Sequence, residues 1–449
     1  MKWLYSLPLL LSLLSQARAE DCSLKLVSEF DLLDNQAGLP VIGVTFNGHP
    51  AKMIIDTGAY WSGIVPSAAK GLKTKSLNYI SAVGAGGGEM RTAAVVTDLK
   101  IGRLSFTKAD FFIFARDNAE DPELIGNIGA NILKAYDLEI DTAGRKAKIW
   151  LQDHCAGKVI SWPHADGFAE IPFKLNNVGH ISLPVTLEGH DYRALLDTGA
   201  TASFLDKKVA DRDFGLTAET ANAMGTTDTL DGKDLPTFYH RFGVFDIGGL
   251  QFKNSQMAFS IGQEDSSRAG WEQERMPSIT LGMHQMRGLH FYVAYGERKI
   301  YATVASGPPP LDAIDRENIQ QLSSAAMKSV AAKDYAAAAA SYAQAMRLGP
   351  KEAWLRIDRA FVYRQSGDLP AALVDLDEAI RLDANAAEAW AGRCSVKIQT
   401  EQFDAAFPDC QQALSVDGKQ EEARLDRAFL YLRRQQLDLA TEDCNAVLA

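Results

Sequence analysis

Apolar and polar residues alternate along two long stretches of the chain, and a period of two predicts β-strands. Residues 101–106 and 247–252 both show this pattern around a glycine, as expected for a half-buried strand and its hairpin turn. Short β-rich runs and many glycines continue through both stretches. The pattern therefore predicts two mainly-β lobes, at residues 24–152 and 168–304.

The two predicted lobes repeat one another. Residues 42–59 (IGVTFNGHPAKMIIDTGA) align without a gap with residues 183–200 (LPVTLEGHDYRALLDTGA), at a constant offset of 141 positions. A hairpin, an apolar segment ending in glycine and a last strand then follow in the same order in both halves. Such an order indicates a duplicated architecture.

A third region begins after three consecutive prolines at 308–310. Prolines exclude helix and favour an extended spacer, so residues 305–316 are predicted as a Pro-rich linker. Residues 317–449 then show helical periodicity with a repeat of 34 residues. Small or apolar residues recur at fixed positions of the repeat: Ala338, Ala372, Ala406 and Ala440; Ala326, Ala360, Cys394 and Ala428; Tyr342, Leu376, Cys410 and Cys444.

Each lobe carries the phrase Asp-Thr-Gly directly after an apolar strand run. Two close carboxylates cannot both ionise cheaply, so they share a proton and become a matched acid and base. The sequence therefore indicates Asp56 and Asp197 as a catalytic pair. The alternative, two ordinary turns at strand ends, is disfavoured because both phrases lie within the same longer repeat.

The residues that follow each aspartate have physical roles in such a site. Threonine can hydrogen-bond across the pair and lock the opposing loops. Glycine allows a tight turn that brings an N–H to the carboxylate. These supporting residues are Thr57, Gly58, Thr198 and Gly199.

With these motifs, the two lobes resemble the bacterial retropepsin-like aspartic peptidases, here present as two lobes in tandem. Retropepsins build one site from two identical subunits, and pepsins from two lobes of one chain. The resemblance implies a mainly-β bilobal fold with Asp56 and Asp197 as the dyad. It also implies that Gly129 and Gly282 lie in apolar-glycine segments that thread behind the catalytic loops. The tail resembles tetratricopeptide repeats, an all-α solenoid of stacked helix pairs.

The family places a mobile hairpin, the flap, some 25–30 residues after the first dyad residue. A glycine-rich run lies there, and consecutive glycines suit a tip that approaches a peptide backbone. The candidate flap residues are Gly84, Gly86, Gly87 and Gly88. A flexible surface loop is the alternative interpretation of the same run.

The residues after the two motifs predict the pH range of the site. In pepsin-like lobes a hydroxyl side chain follows Asp-Thr-Gly and can donate a hydrogen bond to the carboxylate, which lowers its pKa. Ala59 and Ala200 cannot donate one. The resemblance therefore implies a dyad that titrates higher, with an activity optimum of roughly pH 4–6.

The first residues have the features of a secretory signal. Lys2, an apolar run at 4–14 and Ala-Arg-Ala at 17–19 predict a signal peptide over residues 1–19 and an exported protein, periplasmic or secreted. The alternative is an uncleaved membrane anchor. Export invites disulfides, and Cys22 and Cys155 bracket the first lobe as a candidate pair.

The other three cysteines lie in the helical tail. Cys394 and Cys410 are predicted on facing helices of one repeat and could pair, although core packing is the favoured role for all three cysteines. No metal site and no cofactor are predicted, because the histidines and cysteines lack ligand spacing.

The net charge limits the partners. Signal removal would change it from −11 to −13, which disfavours nucleic acid and anionic membrane surfaces. No segment of the mature chain is apolar enough to be predicted as a membrane span. The partners left are peptides or unfolded proteins as substrates and proteins that bind the repeats.

The sequence therefore predicts an exported aspartic endopeptidase whose helical tail recruits substrates or partners. The alternative is a non-catalytic peptide-binding adaptor on the same fold. A third interpretation makes the solenoid the main functional part and the lobes its regulators. Retention of both aspartates favours the enzyme.

Overall fold

The described part of the chain folds into a β-rich unit and a helical unit. The computed structural model describes residues 22–448 except 77–81, 84–88, 91, 119–120, 160–166, 178, 229–233, 261–276 and 308–310. One unit comprises Met1–Asp34 with Leu39–Pro309, and the other comprises Asn35–Gly38 with Pro310–Ala449. The predicted signal peptide and the candidate flap glycines lie outside the described residues.

The β-rich unit contains two lobes, and the elements of the first lobe are β1 (Leu26–Asp31), β2 (Val41–Phe46), β3 (His49–Ile55), β4 (Gly63–Ile64), α1 (Pro66–Ala69), β5 (Lys73–Ser76), β6 (Ala82–Val83), β7 (Glu89–Met90), β8 (Thr92–Val96), β9 (Leu99–Ile101), β10 (Leu104–Phe106), β11 (Ala109–Ile113), β12 (Leu124–Ile128), α2 (Ala130–Leu133), β13 (Asp137–Asp141) and β14 (Lys146–Trp150). The elements of the second lobe are β15 (Ala169–Pro172), β16 (Lys174–Leu175), β17 (Ile181–Leu187), β18 (His190–Leu196), β19 (Phe204–Leu205), α3 (Lys207–Phe214), β20 (Asn222–Asp228), β21 (Asp234–Ile247), β22 (Leu250–Ser260), β23 (Ile279–Leu281), α4 (Met283–Met286), β24 (Leu289–Ala294) and β25 (Lys299–Val304).

Both lobes contain the same group of three adjacent strands, in which the middle strand is parallel to one neighbour and antiparallel to the other. In the first lobe β12 lies between β3 and β4 and is parallel to β3. In the second lobe β23 lies between β18 and β19 and is parallel to β18. Because parallel strands end at the same edge, the loop after β12 lies beside the loop after β3. The predicted mainly-β bilobal fold is confirmed.

The hairpins that lead into the two motifs have the same turn. Asn47 and Gly48 have φ angles of 50° and 78°, and Glu188 and Gly189 have φ angles of 49° and 80°. Positive φ at both central residues is the geometry of the two-residue turn that matches strand twist. The turn fixes the register of β3 and β18, and therefore which residue each strand ends on.

Three strands of each lobe form one shared six-stranded sheet, in the order β1-β14-β13-β24-β25-β15. β13 and β24 join the lobes, with Leu138 opposite Val293 and Ile140 opposite Phe291. All four side chains are buried, and the apolar core is continuous through both lobes. The lobes are therefore held as one body in which a site between them can be rigid.

A buried polar network lies across the same sheet. Asp137 is fully buried and accepts hydrogen bonds from His154 Nε2 (2.6 Å), the Tyr292 hydroxyl (3.1 Å) and the Tyr295 N–H (2.8 Å). Burial raises the pKa of Asp137, and these three groups oppose that rise. The network stabilises the junction because its members come from both lobes.

Cys22 and Cys155 form a disulfide. It joins the segment before β1 to the segment after β14, two strands that pair with Leu26 opposite Trp150. The first lobe is therefore closed covalently at the shared sheet.

The described residues of the helical unit form four antiparallel helix pairs, namely α5 (Ala313–Ala331) with α6 (Tyr335–Leu348), α7 (Ala353–Ser366) with α8 (Leu369–Leu382), α9 (Ala387–Gln399) with α10 (Phe403–Val416), and α11 (Glu421–Arg433) with α12 (Leu437–Leu448). None of the helices in the described residues is long and apolar enough to cross a membrane.

The first helix begins earlier than the sequence predicts. It starts at Ala313, inside the predicted linker 305–316, because the Asp312 side chain accepts a hydrogen bond from the Asp315 N–H (2.8 Å). Such a cap satisfies a free donor at the start of a helix.

The repeated small positions are buried as their spacing predicts. Ala326, Ala338, Ala372 and Ala406 are all fully buried. Cys394 and Cys410 are also fully buried, but they form a disulfide between α9 and α10. Core packing alone was therefore the wrong preference for this pair, whose Cα atoms are 5.4 Å apart. Cys444 is the free cysteine among the described residues.

An arginine–aspartate pair recurs in the last three helix pairs at the 34-residue period. Each arginine guanidinium donates two hydrogen bonds, from Nε and Nη2, to the aspartate of the other helix in its pair. The pairs are Arg359 with Asp375, Arg393 with Asp409, and Arg427 with Asp443. The aspartates are at most 5% exposed, so each pair holds its two helices in one register.

We expect Asp375→Ala to destabilise the helical unit by about 3 kcal/mol, because it leaves the half-buried Arg359 charge unpaired. Urea unfolding of the full chain, followed by helical circular dichroism, measures the loss. Glu378→Ala is the matched control in the same helix, since Glu378 pairs with Arg381 at the surface. Equal unfolding midpoints for the two variants would contradict the role of the buried pair.

Candidate active site

The two Asp-Thr-Gly loops are locked to each other by four crossed hydrogen bonds. The Thr57 hydroxyl donates to the Leu196 carbonyl (2.8 Å), and the Thr198 hydroxyl donates to the Ile55 carbonyl (2.6 Å). Each hydroxyl oxygen also accepts the backbone N–H of the opposite threonine, at 3.0 and 3.2 Å. Both threonines are fully buried. The loops are thus fixed relative to each other, as the resemblance implies.

The two carboxyl groups meet at this junction. Asp56 and Asp197 hydrogen-bond to each other through their side chains. A Cβ atom placed on Gly58 would lie 2.2 Å from the Asp197 carboxyl carbon, and one on Gly199 would lie 2.4 Å from that of Asp56. Only glycine leaves room for the opposite carboxyl group, which is why both loops carry it at this position.

Backbone donors orient each carboxyl group. The Gly58 N–H (3.0 Å) and the Ala59 N–H (2.9 Å) donate to Asp56 Oδ1. The Gly199 N–H donates to Asp197 Oδ1 at 3.0 Å. In both loops, backbone N–H groups of the loop itself therefore bind the Oδ1 atom and orient the carboxyl group.

Gly129 and Gly282 pass directly behind the two catalytic loops. A Cβ atom on Gly129 would lie 2.8 Å from the Ala59 carbonyl oxygen, and one on Gly282 would lie 2.8 Å from that of Ala200. The following N–H groups, of Ala130 and Met283, donate to the same two carbonyls at 2.8 Å each. The apolar-glycine segments therefore support the loops from behind.

Two serines that the sequence analysis did not identify fasten these segments. The Gly129 N–H donates to Ser62 Oγ (3.0 Å), and the Gly282 N–H donates to Ser203 Oγ (2.9 Å). Both serines are fully buried. They lie six residues after their dyad aspartate in both copies, so the internal repeat carried the signal that could have found them.

Asn127 is a third residue that the sequence analysis missed. Its Nδ2 donates to Asp56 Oδ2 at 2.6 Å, and the Asn127 side chain is 3% exposed. Ala59 donates no side-chain bond, as predicted, but Asp56 receives one from this neighbouring strand. A polar residue inside the otherwise apolar segment before Gly129 was the signal in the sequence.

The two carboxyl groups titrate differently. Burial raises the pKa of Asp56, although hydrogen bonds from Asn127, Ala59 and Gly58 oppose the rise. Burial and the charge of Asp56 together raise the pKa of Asp197 well above its usual range. A pair with one proton is therefore favoured over a wide pH range, which is the state a matched acid and base require.

The bulky residues after the first motif pack into the lobe. The Trp61 ring lies edge-on to Phe112 with centroids 6.0 Å apart, and Tyr60 lies edge-on to Trp61 at 5.4 Å. Phe112 belongs to the core at 2% exposure. The Trp61 ring is therefore anchored on the wall of the first lobe beside the catalytic loop.

The segment expected to form the flap is described only at its margins. β6 and β7 pair antiparallel, with Ala82 opposite Met90 and Val83 opposite Glu89. The candidate flap residues 84–88 lie between them, outside the described residues. In the second lobe β20 and β21 pair over a longer stretch, from Asn222 opposite Tyr239 to Asp228 opposite Asp234.

Two of the sulfur atoms that could hold a metal are already bonded. Cys394 and Cys410 lie near Asp426 in the helical unit, at a separation that would suit a shared ion. Their disulfide leaves neither sulfur as a thiolate ligand. This group is remote in sequence from the dyad.

We expect Asp197→Asn to raise the unfolding temperature of the β-rich unit at neutral pH. A raised pKa means that the folded state keeps its proton and loses stability as the pH rises from the ordinary value of 3.8 through the raised value. The asparagine removes this loss, so the gain should vanish near pH 3 and grow toward pH 8. Scanning calorimetry of the full chain measures it, with the exposed Asp191→Asn as control. A gain independent of pH would contradict the assignment.

Two family models match the lobes. Residues 183–284 match a model described as "Aspartyl protease", and residues 42–134 match one described as "gag-polyprotein putative aspartyl protease". Each range contains one Asp-Thr-Gly loop and its apolar-glycine segment. No curated protein matches the chain.

Several solved structures align with about a quarter of the chain. MamA protein is 19% identical, covering 29% of this chain and 72% of that chain, with a TM-score of 0.27. The Arabidopsis OM64 TPR domain is 18% identical (26% and 98%, TM-score 0.26), and a tetratricopeptide repeat protein from Parabacteroides merdae ATCC 43184 is 22% identical (29% and 53%, TM-score 0.27).

The repeats are identified by their own geometry: antiparallel helix pairs, a period of 34 residues and buried small residues at fixed positions. The lobes are identified by the two family models and by the paired loops. The two lobes thus match aspartyl protease family models over residues 42–134 and 183–284, and the helical unit that follows has the geometry of tetratricopeptide-type repeats.

Proposed function

We propose that the β-rich unit is an aspartic endopeptidase. The observation that carries the proposal is the contact between the Asp56 and Asp197 carboxyl groups, held together by two interlocked loops. A protein that only gripped peptides would gain little from keeping two acids in a place where their ionisation is costly.

The chemistry follows from one proton shared by two carboxyl groups. The ionised carboxylate takes a proton from a water molecule held between the pair, and the water oxygen attacks the scissile carbonyl carbon. The protonated carboxyl gives its proton to the carbonyl oxygen, which yields a tetrahedral diol. The first carboxyl then protonates the leaving nitrogen as the C–N bond breaks, while the second carboxyl, now ionised, takes a proton from one diol hydroxyl. The pair again holds one proton, and the net reaction adds one water to the peptide bond.

The substrate in this proposal is an extended peptide or an unfolded protein. An extended chain offers backbone groups that pair with strand-like segments at the site, as in other cases of strand addition. The glycine-rich residues 84–88 and the β20–β21 ribbon are the segments proposed to cover it. Hydrogen bonds between the backbones of the substrate and the protein would bind the substrate with only a modest dependence on its amino-acid sequence.

The helical unit is proposed to recruit the substrate or a partner protein. A groove of about 870 Å³ opens on its first three helices, lined in part by Arg316, Met327, Tyr342, Trp354 and Asp358. Met327 is 53% exposed and Trp354 is 42% exposed. Exposed apolar side chains beside charged groups are typical of protein-binding surfaces.

We also propose that the protein is exported. The signal-like residues 1–19 motivate the proposal, and the two disulfides support it because disulfides persist in oxidising compartments. Expression in a Gram-negative host followed by cell fractionation tests it. The expected result is a periplasmic or secreted chain that begins at Glu20 by N-terminal sequencing. A full-length chain in the cytoplasm would contradict export.

Cleavage of a denatured protein across pH 3–7 tests the peptidase. We expect wild-type activity with an optimum of roughly pH 4–6. Asp56→Asn and Asp197→Asn should each lower kcat by at least about 1000-fold, because neither variant can share a proton. Asp191→Asn, an exposed aspartate of the second lobe, is the matched control.

Two outcomes would remove the proposal. Equal cleavage by the wild type and the dyad variants would assign the activity to a contaminant. Binding of the denatured protein without cleavage at any pH would favour the non-catalytic adaptor.

A further inference from the structure

The dyad is asymmetric although the two loops are copies. Both aspartates accept backbone N–H groups from their own loop. Among the residues that the structure describes, only Asp56 of the pair accepts a hydrogen bond from an asparagine side chain, that of Asn127, at 2.6 Å. The asymmetry therefore comes from the strand behind the loop and not from the Asp-Thr-Gly phrase.

The orientation of the Asn127 amide is fixed by its other contact. Asn127 Oδ1 accepts the Gly63 backbone N–H at 2.7 Å. A backbone N–H can only donate, so the amide oxygen must face Gly63 and the NH₂ group must face Asp56. Asn127 lies on β12 between β3 and β4, opposite Ile54 on one side and Gly63 on the other. The donor is therefore held rigidly by two neighbouring strands.

The second lobe has threonine at the equivalent position. Thr280 on β23 lies opposite Leu195, two residues before Asp197, just as Asn127 lies opposite Ile54, two residues before Asp56. Within the described residues the Thr280 hydroxyl makes no hydrogen bond to Asp197. Within the described residues, a side-chain donor is therefore available to the Asp56 carboxylate and not to that of Asp197.

We propose that Asn127 is a positioning residue that divides the roles within the dyad. It holds Asp56 as the carboxylate that takes the proton from water, and it leaves the shared proton on Asp197, which gives it to the substrate carbonyl. This assignment rests on the proposed peptidase function. It also explains how a lobe with Ala59 supplies the side-chain donor that pepsin-like lobes take from a hydroxyl after the motif.

The surrounding charges agree with this division. Burial together with the charge of Asp56 raises the pKa of Asp197 well above its usual range, whereas the Asn127 bond opposes the rise at Asp56. The His180 imidazole hydrogen-bonds to the Gly58 backbone, and burial lowers its pKa. Burial thus opposes a positive charge that would favour either carboxylate.

Asn127→Thr gives the first lobe the residue that the second lobe already has. The ionised form of Asp56 then loses its donor, so the acid limb of kcat/KM against pH should move up by about one pH unit. We expect kcat near pH 4 to fall about 10-fold with KM within about twofold, because the change acts on the proton and not on substrate contacts. An unchanged pH profile in an active, folded variant would overturn the proposal.

Thr280→Asn is the mirror variant and leaves Asn127 in place. It offers a donor to Asp197 and stabilises its ionised form, so the alkaline limb should move to lower pH while the acid limb moves less. This variant keeps the proposal testable if Asn127→Thr does not fold. Movement of the acid limb alone would assign the roles the other way round.

The ionisation of the Asp56 and Asp197 carboxyl groups can also be measured without substrate. Such a measurement tests this inference independently of the proposed peptidase function. Carbon-13 NMR of labelled aspartate carboxyl groups, assigned with Asp56→Asn and Asp197→Asn, should show Asp56 ionising before Asp197. In Asn127→Thr the two ionisation steps should both move to higher pH, the first more than the second. This result would support the inference even if the wild type cleaved nothing. First ionisation at Asp197 would overturn it whether or not the protein is a peptidase.

Discussion

The structure depends on four crossed hydrogen bonds between two threonines and the backbones of the opposite lobes. They join loops 141 residues apart in a fully buried position where an unpaired donor would be costly. Because every donor and acceptor has its partner, the two loops have one relative placement. The two carboxyl groups are then forced together, and their ionisation becomes a property of the pair.

Several further contacts keep the two Asp-Thr-Gly loops in this relative position. The apolar-glycine segments lie behind each loop, and buried serines fasten them. Farther away, the shared six-stranded sheet and the network around Asp137 join the lobes through both apolar and polar contacts. A mobile junction would let water separate the carboxyl groups, so rigidity far from the dyad contributes to its chemistry.

The helical unit uses a different device to fix its geometry. Its helices pack against one another through small, fully buried residues such as Ala338, Ala372 and Ala406. The buried arginine–aspartate pairs and the Cys394–Cys410 disulfide add directional links between the two helices of a repeat. The first helix pair has Ala325 and Ser341 where the later pairs have the arginine and the aspartate. The groove of about 870 Å³ is lined by this first pair and by α7.

The sequence by itself determined the duplicated lobes, the dyad, the interlocking threonines and the helical repeats. These features are local or periodic, because a strand alternates, a repeat recurs at a fixed offset and a tight turn needs glycine. The sequence could not determine which neighbouring strand lies beside a carboxylate, or whether Cys394 and Cys410 are bonded to each other or only packed in the core. Only the tertiary structure decided the Asn127–Asp56 bond, the buried arginine–aspartate pairs and the bonding of Cys394 to Cys410. Each of these contacts joins residues on different strands or different helices. Whether two such residues meet depends on how the elements pack, and the separation of the residues along the chain does not determine it.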